Sequence, residues 1–198
     1  MNKIKLLSAL FIAAALAGCG KQDSASTEPA AKAQAQGQAV SIESITADAT
    51  GFTVGSPMSV RTVYVFFDAQ CPHCGALWYS AKPLKGQAKF VWIPIRLLND
   101  SSEMQAAAIL AAKDPAAAMD EHEASMMDKK GGITASGDVS AQRAQIKKNT
   151  ELFNKFGFNS VPSLVTKNAQ TGAVVTREGG LPTAELAAWL GLPPPSGQ

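Results

Sequence analysis

The 198-residue sequence predicts an α/β protein whose central layer mixes parallel and antiparallel strands. Three observations lead to that class. Strand-like and helix-like segments follow one another as strand, helix, strand, helices, strand, strand, helix. One segment, RTVYVFFD at 61–68, is an almost unbroken run of β-branched and aromatic residues, the pattern of a strand buried on both faces. Two late segments, VPSLVTK and AVVTRE, stand close enough to pair as a hairpin.

The first twenty residues, MNKIKLLSALFIAAALAGCG, have a basic start, an apolar run from Leu6 to Ala17 and small residues before a cysteine. That run is short for a membrane span and has the layout of an export signal, assigned to 1–18. Leu16-Ala17-Gly18-Cys19 resembles the lipobox of bacterial lipoproteins, which implies that Cys19 becomes the N-terminus and carries lipid. Lys21 is not the aspartate that retains enteric lipoproteins in the inner membrane, so the resemblance points to the outer membrane. Residues 19–39 are rich in Ala, Gln and Ser with no hydrophobic period and read as a flexible tether. Residues 40–57 read as a short extended lead-in, with VSIESI and GFTVG as minor strands.

The catalytic domain is placed at 58–192, with a tail at 193–198. After the buried strand, CPHCGALWYSAKPL reads as a helix that opens on Pro72, where a missing N–H costs nothing, and is kinked by Pro83. KFVWIPI (89–95) is a second strand. DSSEMQAAAILAAKD is a helix capped by Asp100 or Ser101. PAAAMDEHEASMMDKK is a further helix, stopped by Gly131-Gly132. DVSAQRAQIKKNTELFNKFG is a long helix ending at Gly157, and PTAELAAWLG closes the domain. Lys3 and Lys5 fall in the export signal, so the remaining chain carries 16 charges of each sign. Without a basic field, nucleic acid is not an expected partner.

The chemistry centres on Cys71-Pro72-His73-Cys74, between the buried strand and its helix. A zinc site needs four ligands, and the histidines are only His73, inside the loop, and His122, so no metal is expected. Covalent haem needs histidine directly after the second cysteine, where Gly75 stands. An inert structural disulfide is the alternative left, although so small a loop removes little unfolded-state entropy. The preferred reading is a thioredoxin-like redox pair. A thiolate at a helix start faces unpaired N–H groups and the positive end of the helix dipole, which lowers its pKa. The His73 imidazole is expected to add a donor or a charge and so to tune the potential. With Cys19 lipidated, the other two cysteines form one pair and no thiol is left over. His122 is expected on a helix surface, and Trp78, Trp92 and Trp189 as packing residues.

VYVFFDAQCPHCGALW, IKKNTELFNKFGFNSVPSLV and GGLPTAELAAWL together resemble the bacterial periplasmic Dsb thiol–disulfide proteins over roughly 58–192. The resemblance implies a thioredoxin-like fold with an inserted helical subdomain. Asp68 and the downstream pattern look most like the DsbG and DsbC catalytic domains, whereas Pro72-His73 is the DsbA dipeptide. It implies Cys71 as exposed nucleophile, Cys74 as resolving thiol, and Pro162 as a cis-proline facing the pair, with Val161 before it. The redox-active disulfide Cys71–Cys74 would need no cofactor. Exported proteins with cysteines are the implied substrates, alongside a membrane redox partner.

Two departures matter. The buried acid that thioredoxin and DsbA place six residues before the first cysteine is replaced here by Val65, which leaves proton handling to water, His73 or Asp68, unless Asp68 only caps the loop. Residues 20–57 are also too few for the DsbG-type dimerisation domain, so a monomer is expected. The resulting expectation is a lipid-anchored periplasmic thiol–disulfide oxidoreductase favouring oxidation. Its alternatives are a reductase or isomerase and a non-catalytic binding module.

Overall fold

A computed structural model of the chain describes residues 38–193. The export signal, Cys19, the tether up to residue 37 and the tail from 194 lie outside the described residues. In chain order the elements are α1 (Ile42–Asp48), β1 (Phe52–Gly55), β2 (Thr62–Phe67), α2 (Pro72–Ala81), a 3₁₀ turn (Lys82–Leu84) and β3 (Lys89–Pro94). Then come α3 (Asp100–Ala111), α4 (Pro115–Met127), α5 (Ser140–Lys155), β4 (Ser163–Lys167), β5 (Val174–Glu178) and α6 (Thr183–Leu190).

The five strands form one sheet in the order β1-β3-β2-β4-β5. Only β2 and β3 are parallel; β1 with β3, β2 with β4 and β4 with β5 are antiparallel. The mixed layer expected from the element order is therefore present. β2 lies at the centre and is buried on both faces, as its composition predicted. Val63, Val65 and Phe67 join one core with Cys74, Leu77, Trp78, Trp92, Ile109, Met119 and Leu186. Phe66 faces the other way, into a core with Ile45, Ile93, Phe153, Phe156 and Phe158. Each such side chain contributes roughly 1.5–3 kcal/mol on burial. The Trp78 and Trp92 rings meet edge to face at 5.0 Å, while Trp189 is only half-buried.

Four local expectations are corrected. VSIESI is not a strand: Ser41 caps α1 by accepting the Ser44 N–H at 3.2 Å, and the helix seats Ile45 on the sheet. Short apolar alternations carry both readings, and here a cap decides. Pro83 ends α2 instead of kinking it, because the chain tightens into the 3₁₀ turn that contains the proline. The cap of α3 is Asn99, whose side chain accepts the Ser102 N–H while Ser102 accepts the Asn99 N–H. Finally, α4 stops before Gly131-Gly132. Lys129 takes a left-handed conformation (φ 58°), and the Lys130 N–H returns to the Ser125 carbonyl, closing the helix as a Schellman motif.

α5 is fastened to the sheet by one buried polar side chain. Asn149 accepts the Thr50 N–H (2.8 Å) and donates to the carbonyls of Thr50 (2.8 Å) and Pro94 (2.9 Å). It thereby ties the start of β1 and the end of β3 to one helix. Asn149→Ala leaves these backbone groups buried without partners and should cost about 2–3 kcal/mol. Urea unfolding measures this, and a loss below ~0.5 kcal/mol, the scale of an ordinary surface substitution, would show that Asn149 is not the fastener.

Candidate active site

The parallel strands β2 and β3 end side by side, and four residues carry the chain from β2 to α2. Every one of them is held. The Asp68 carboxylate, fully buried, accepts the N–H groups of Gln70 (2.8 Å), Leu97 (2.8 Å) and Leu98 (3.0 Å), the last two from the loop after β3. The Ala69 carbonyl meets Nε2 of His122 on α4 at 2.7 Å. The Gln70 side-chain amide donates to Gln105 on α3. The Cys71 N–H returns to the Asp68 carbonyl at 3.0 Å.

His122 is therefore not a surface residue. It is fully buried, and its Nδ1 accepts the Ile133 N–H at 3.3 Å, which puts the ring proton on Nε2, facing Ala69. Burial pushes its pKa down against the pull of the Ala69 carbonyl, so the ring is neutral near pH 7. Its acidic sequence neighbours look like a solvated face, but the ring turns inward against the loop. Gly132 gives it room, since a Cβ there would lie 2.6 Å from the imidazole.

Cys71 is the N-terminal cap of α2, with extended backbone (φ −90°), and Pro72 is the first helical residue. The N–H groups of Cys74 (3.0 Å) and Gly75 (3.2 Å) bond the Cys71 carbonyl. Both thiols are free, Cys74 fully buried and Cys71 7% exposed. Cys71 is thus more sheltered than an exposed nucleophile, and its sulfur lies 3.5 Å from the Val161 carbonyl. The Val161–Pro162 peptide is cis. The Pro162 carbonyl accepts the Gly179 N–H at 2.8 Å, and a Cβ at Gly180 would lie 3.2 Å from the His73 carbonyl. The start of α2, the Pro162 turn and the Gly179-Gly180 loop meet around the pair.

The two thiols differ sharply in acidity. A hydrogen bond from the Cys74 thiol lowers the Cys71 pKa to about 6, helped by the backbone N–H groups of Cys74 and His73 and opposed by burial and the Asp68 charge. Burial, with the Cys71 thiolate beside it, pushes Cys74 well above an ordinary thiol. His73 acts on Cys71 through its backbone amide; its side chain is exposed. The expected imidazole contribution is replaced by main-chain donors, because the first turn of a helix points its N–H groups at the cap residue. An acidic sulfur beside one that keeps its proton suits stepwise disulfide exchange. One sulfur attacks or is attacked, and the other leaves or returns.

Val65, six residues before Cys71, is fully buried in the core. Asp68 sits where the loop needs a cap. One ionisable neighbour escaped sequence reasoning: Glu123 of α4, 4% exposed, whose Oε1 has no hydrogen-bond partner. It lines a groove of about 380 Å³ with Cys71, Pro72, Gly75, Tyr79 and Met126. The only sequence signal was the glycine directly after Cys74. Among the described residues no three His, Cys, Asp or Glu side chains converge as metal ligands.

Comparison with known proteins agrees with this fold. The family described as "Thioredoxin-like domain" matches residues 57–192. The thiol:disulfide interchange protein DsbG of Pseudomonas aeruginosa is 33% identical over 137 residues, covering 66% of this chain and 51% of that protein. DsbG of Escherichia coli is 33% identical over 105 residues, covering 52% and 42%. The chain thus spans about half the length of these relatives or less. Among solved structures, the catalytic domain of Proteus mirabilis ScsC superposes with TM-score 0.59 at 16% identity, covering 75% of this chain and 92% of that one. A periplasmic thioredoxin-like protein from Salmonella enterica gives 0.60 at 16% identity, covering 78% and 97%. The fold is thioredoxin-like.

The depressed Cys71 pKa has a thermodynamic consequence. In the unfolded reduced chain Cys71 titrates near ~8.5, and in the folded protein near about 6. Its stabilisation is fully present above the unfolded value and is lost as pH falls through the folded one. Reduced protein should therefore gain stability between about pH 6 and ~8.5 relative to the oxidised form. Urea unfolding of both forms across that window checks this, together with thiolate absorbance. Parallel stability curves and a midpoint near ~8.5 would refute the assignment.

Proposed function

The chain belongs to the thioredoxin-like domain family, and from that premise we propose that it is an exported thiol–disulfide oxidoreductase whose working pair is Cys71–Cys74. The contrast in acidity between the two sulfurs carries this reading. A substrate thiolate attacks the Cys71 sulfur of the oxidised pair, a substrate–Cys71 bond forms and the Cys71–Cys74 bond breaks. Cys74 leaves with the electron pair and takes a proton. The substrate's second thiolate then attacks its partner sulfur in the mixed disulfide and expels Cys71 as thiolate. Two electrons pass from substrate to protein, and no cofactor is required. Val161 and Pro162 hold the substrate backbone beside Cys71, and Asp68 organises the loop.

Oxidation is the favoured direction. A Cys71 that is stable as a thiolate is a good leaving group and stabilises the reduced form, which makes the disulfide a stronger oxidant. The second reading, a disulfide reductase or isomerase, is favoured by the 33% identity to the two DsbG proteins. The substrates are exported proteins with cysteines. The compartment is the periplasm, with the Cys19 lipid as membrane anchor, and the redox partner is a membrane protein.

Equilibration with glutathione decides the direction. A potential above about −180 mV supports the oxidase, and one near about −270 mV overturns it in favour of a reductase. Cys71→Ser should abolish exchange, and Cys74→Ser should accumulate mixed disulfides with reduced substrate, visible by non-reducing electrophoresis. If Cys74→Ser traps nothing, the roles of the two sulfurs are wrong.

A further inference from the structure

Glu123 has no role in the loop or in the core. Its helix packs against the start of α2, and its carboxyl occupies the space where residue 75 has no side chain. A Cβ built on Gly75 would lie 2.1 Å from Oε2. Gly75 is four residues after Cys71, so it stands one helical turn above it on the same face, and its N–H bonds the Cys71 carbonyl. The carboxyl therefore rests on the first turn of α2, in the groove that Cys71 also lines. One of its oxygens, Oε1, is buried without a partner. A buried polar atom left unbonded is unfavourable, and one beside a reactive sulfur asks for a reason in the chemistry of the site.

We propose that Glu123 is the proton acceptor for the thiol that enters the groove and the keeper of its single negative charge. This rests on the thiol–disulfide exchange proposed above and holds in either direction. With the pair oxidised, Glu123 is the carboxylate. It takes the proton of the entering thiol, whose sulfur then bonds to Cys71 as the Cys71–Cys74 bond breaks. Cys74 receives the electron pair and the proton of the second substrate thiol. That second sulfur closes the substrate disulfide and releases Cys71 as thiolate. Two thiol protons end on Glu123 and Cys74, and two electrons end on the cysteine pair. The groove begins with one negative charge on Glu123 and finishes with one on Cys71, and no proton goes to bulk water.

The surroundings fit this exchange. Burial, then the Cys71 charge, raises Glu123 to about 7, so the carboxyl is protonated more readily when Cys71 is a thiolate than when it is bonded. Other titratable groups near it are Tyr79 in the groove, Cys74 one residue before Gly75, Asp68 in the loop, and Asp120 and His122 on its own helix. Asp120 is already engaged, by Lys82 (2.5 Å) and by the Trp78 indole (2.6 Å). His122 is engaged by Ala69 and Ile133, and Asp68 by three backbone amides. Glu123 alone among the carboxylates around the pair has an uncommitted buried oxygen.

The test uses the full chain and dithiothreitol as the entering dithiol, with proton release followed near pH 7 in weak buffer. Wild type should release clearly less than one proton per disulfide reduced, because Glu123 and Cys74 keep both dithiol protons, whereas Glu123→Gln should release about one, keeping only the proton on Cys74. The variant should also react more slowly, by about a hundredfold, and lose the part of the pH–rate profile that follows Glu123. Gly75→Ala, which drives a methyl into the carboxyl, should shift both readouts the same way. Equal proton release and equal profiles in wild type and Glu123→Gln overturn the proposal while leaving the exchange activity standing. A wild-type disulfide that does not react with dithiothreitol refutes both. Should Glu123→Gln fail to fold, the infrared difference between reduced and oxidised wild type decides. Reduction must raise a protonated-carboxyl band, and its absence overturns the proposal.

Discussion

The structure around the cysteines depends on one buried charge. Asp68 stands at the carboxyl end of the central strand with no solvent to hydrate it, and a bare carboxylate there would be prohibitive. Three backbone N–H groups satisfy it, two of them from the loop that follows the neighbouring parallel strand. The carboxylate therefore closes the gap between the ends of β2 and β3, and it fixes where the chain turns toward α2. Cys71 is the next residue but two, and its own N–H returns to the Asp68 carbonyl. Charge-assisted bonds of this kind are about twice as strong as neutral ones, so the turn is firmly fixed.

The inserted helices complete that stiffness. α4 reaches the turn through His122, and α3 reaches it through Gln105, which also donates to the Gly131 carbonyl at 2.5 Å. A neutral imidazole suits this place, because a second buried charge beside Asp68 and a thiolate would change the electrostatics of the pair whenever it titrated. Burial keeps the ring neutral. The helical subdomain is thus part of the active-site scaffold, with one polar side chain from each helix on consecutive residues of the loop.

Much of this was legible in the sequence, for reasons that can be named. β2 announces itself because a strand buried on both faces has no polar alternation to confuse with a helix. The cysteine pair announces itself because proline at a helix start and two thiols one turn apart leave few chemical readings. What escaped depends on tertiary contact. VSIESI is too short for its period to separate strand from helix, and the Ser41 cap is what settles it. His122 and Glu123 lie in an acidic stretch that reads as a solvated face, and only the fold shows that both turn inward. Gly75 was noticed for the chemistry it rules out. Its positive reason, a carboxyl seated against it from another helix, lies 48 residues away in the chain.

The source of the Cys71 acidity also bears on how the site can vary. Its stabilising partners are a thiol and main-chain N–H groups, which every residue except proline supplies at position 73. The side chains of Pro72 and His73 are both exposed. They are therefore free to meet substrates or a redox partner while the helix start maintains the thiolate. Direction and specificity can change there without disturbing the core, since neither side chain carries a contact that the turn at Asp68 or the packing of Cys74 needs. Changes at Gly75, Gly132 or Gly180 act differently. At those three positions the backbone of one element lies against a functional group of another, and a single methyl would displace a carboxyl, an imidazole or the carbonyl of His73. The chemistry is held by the main chain, and the variable surface is layered on top of it.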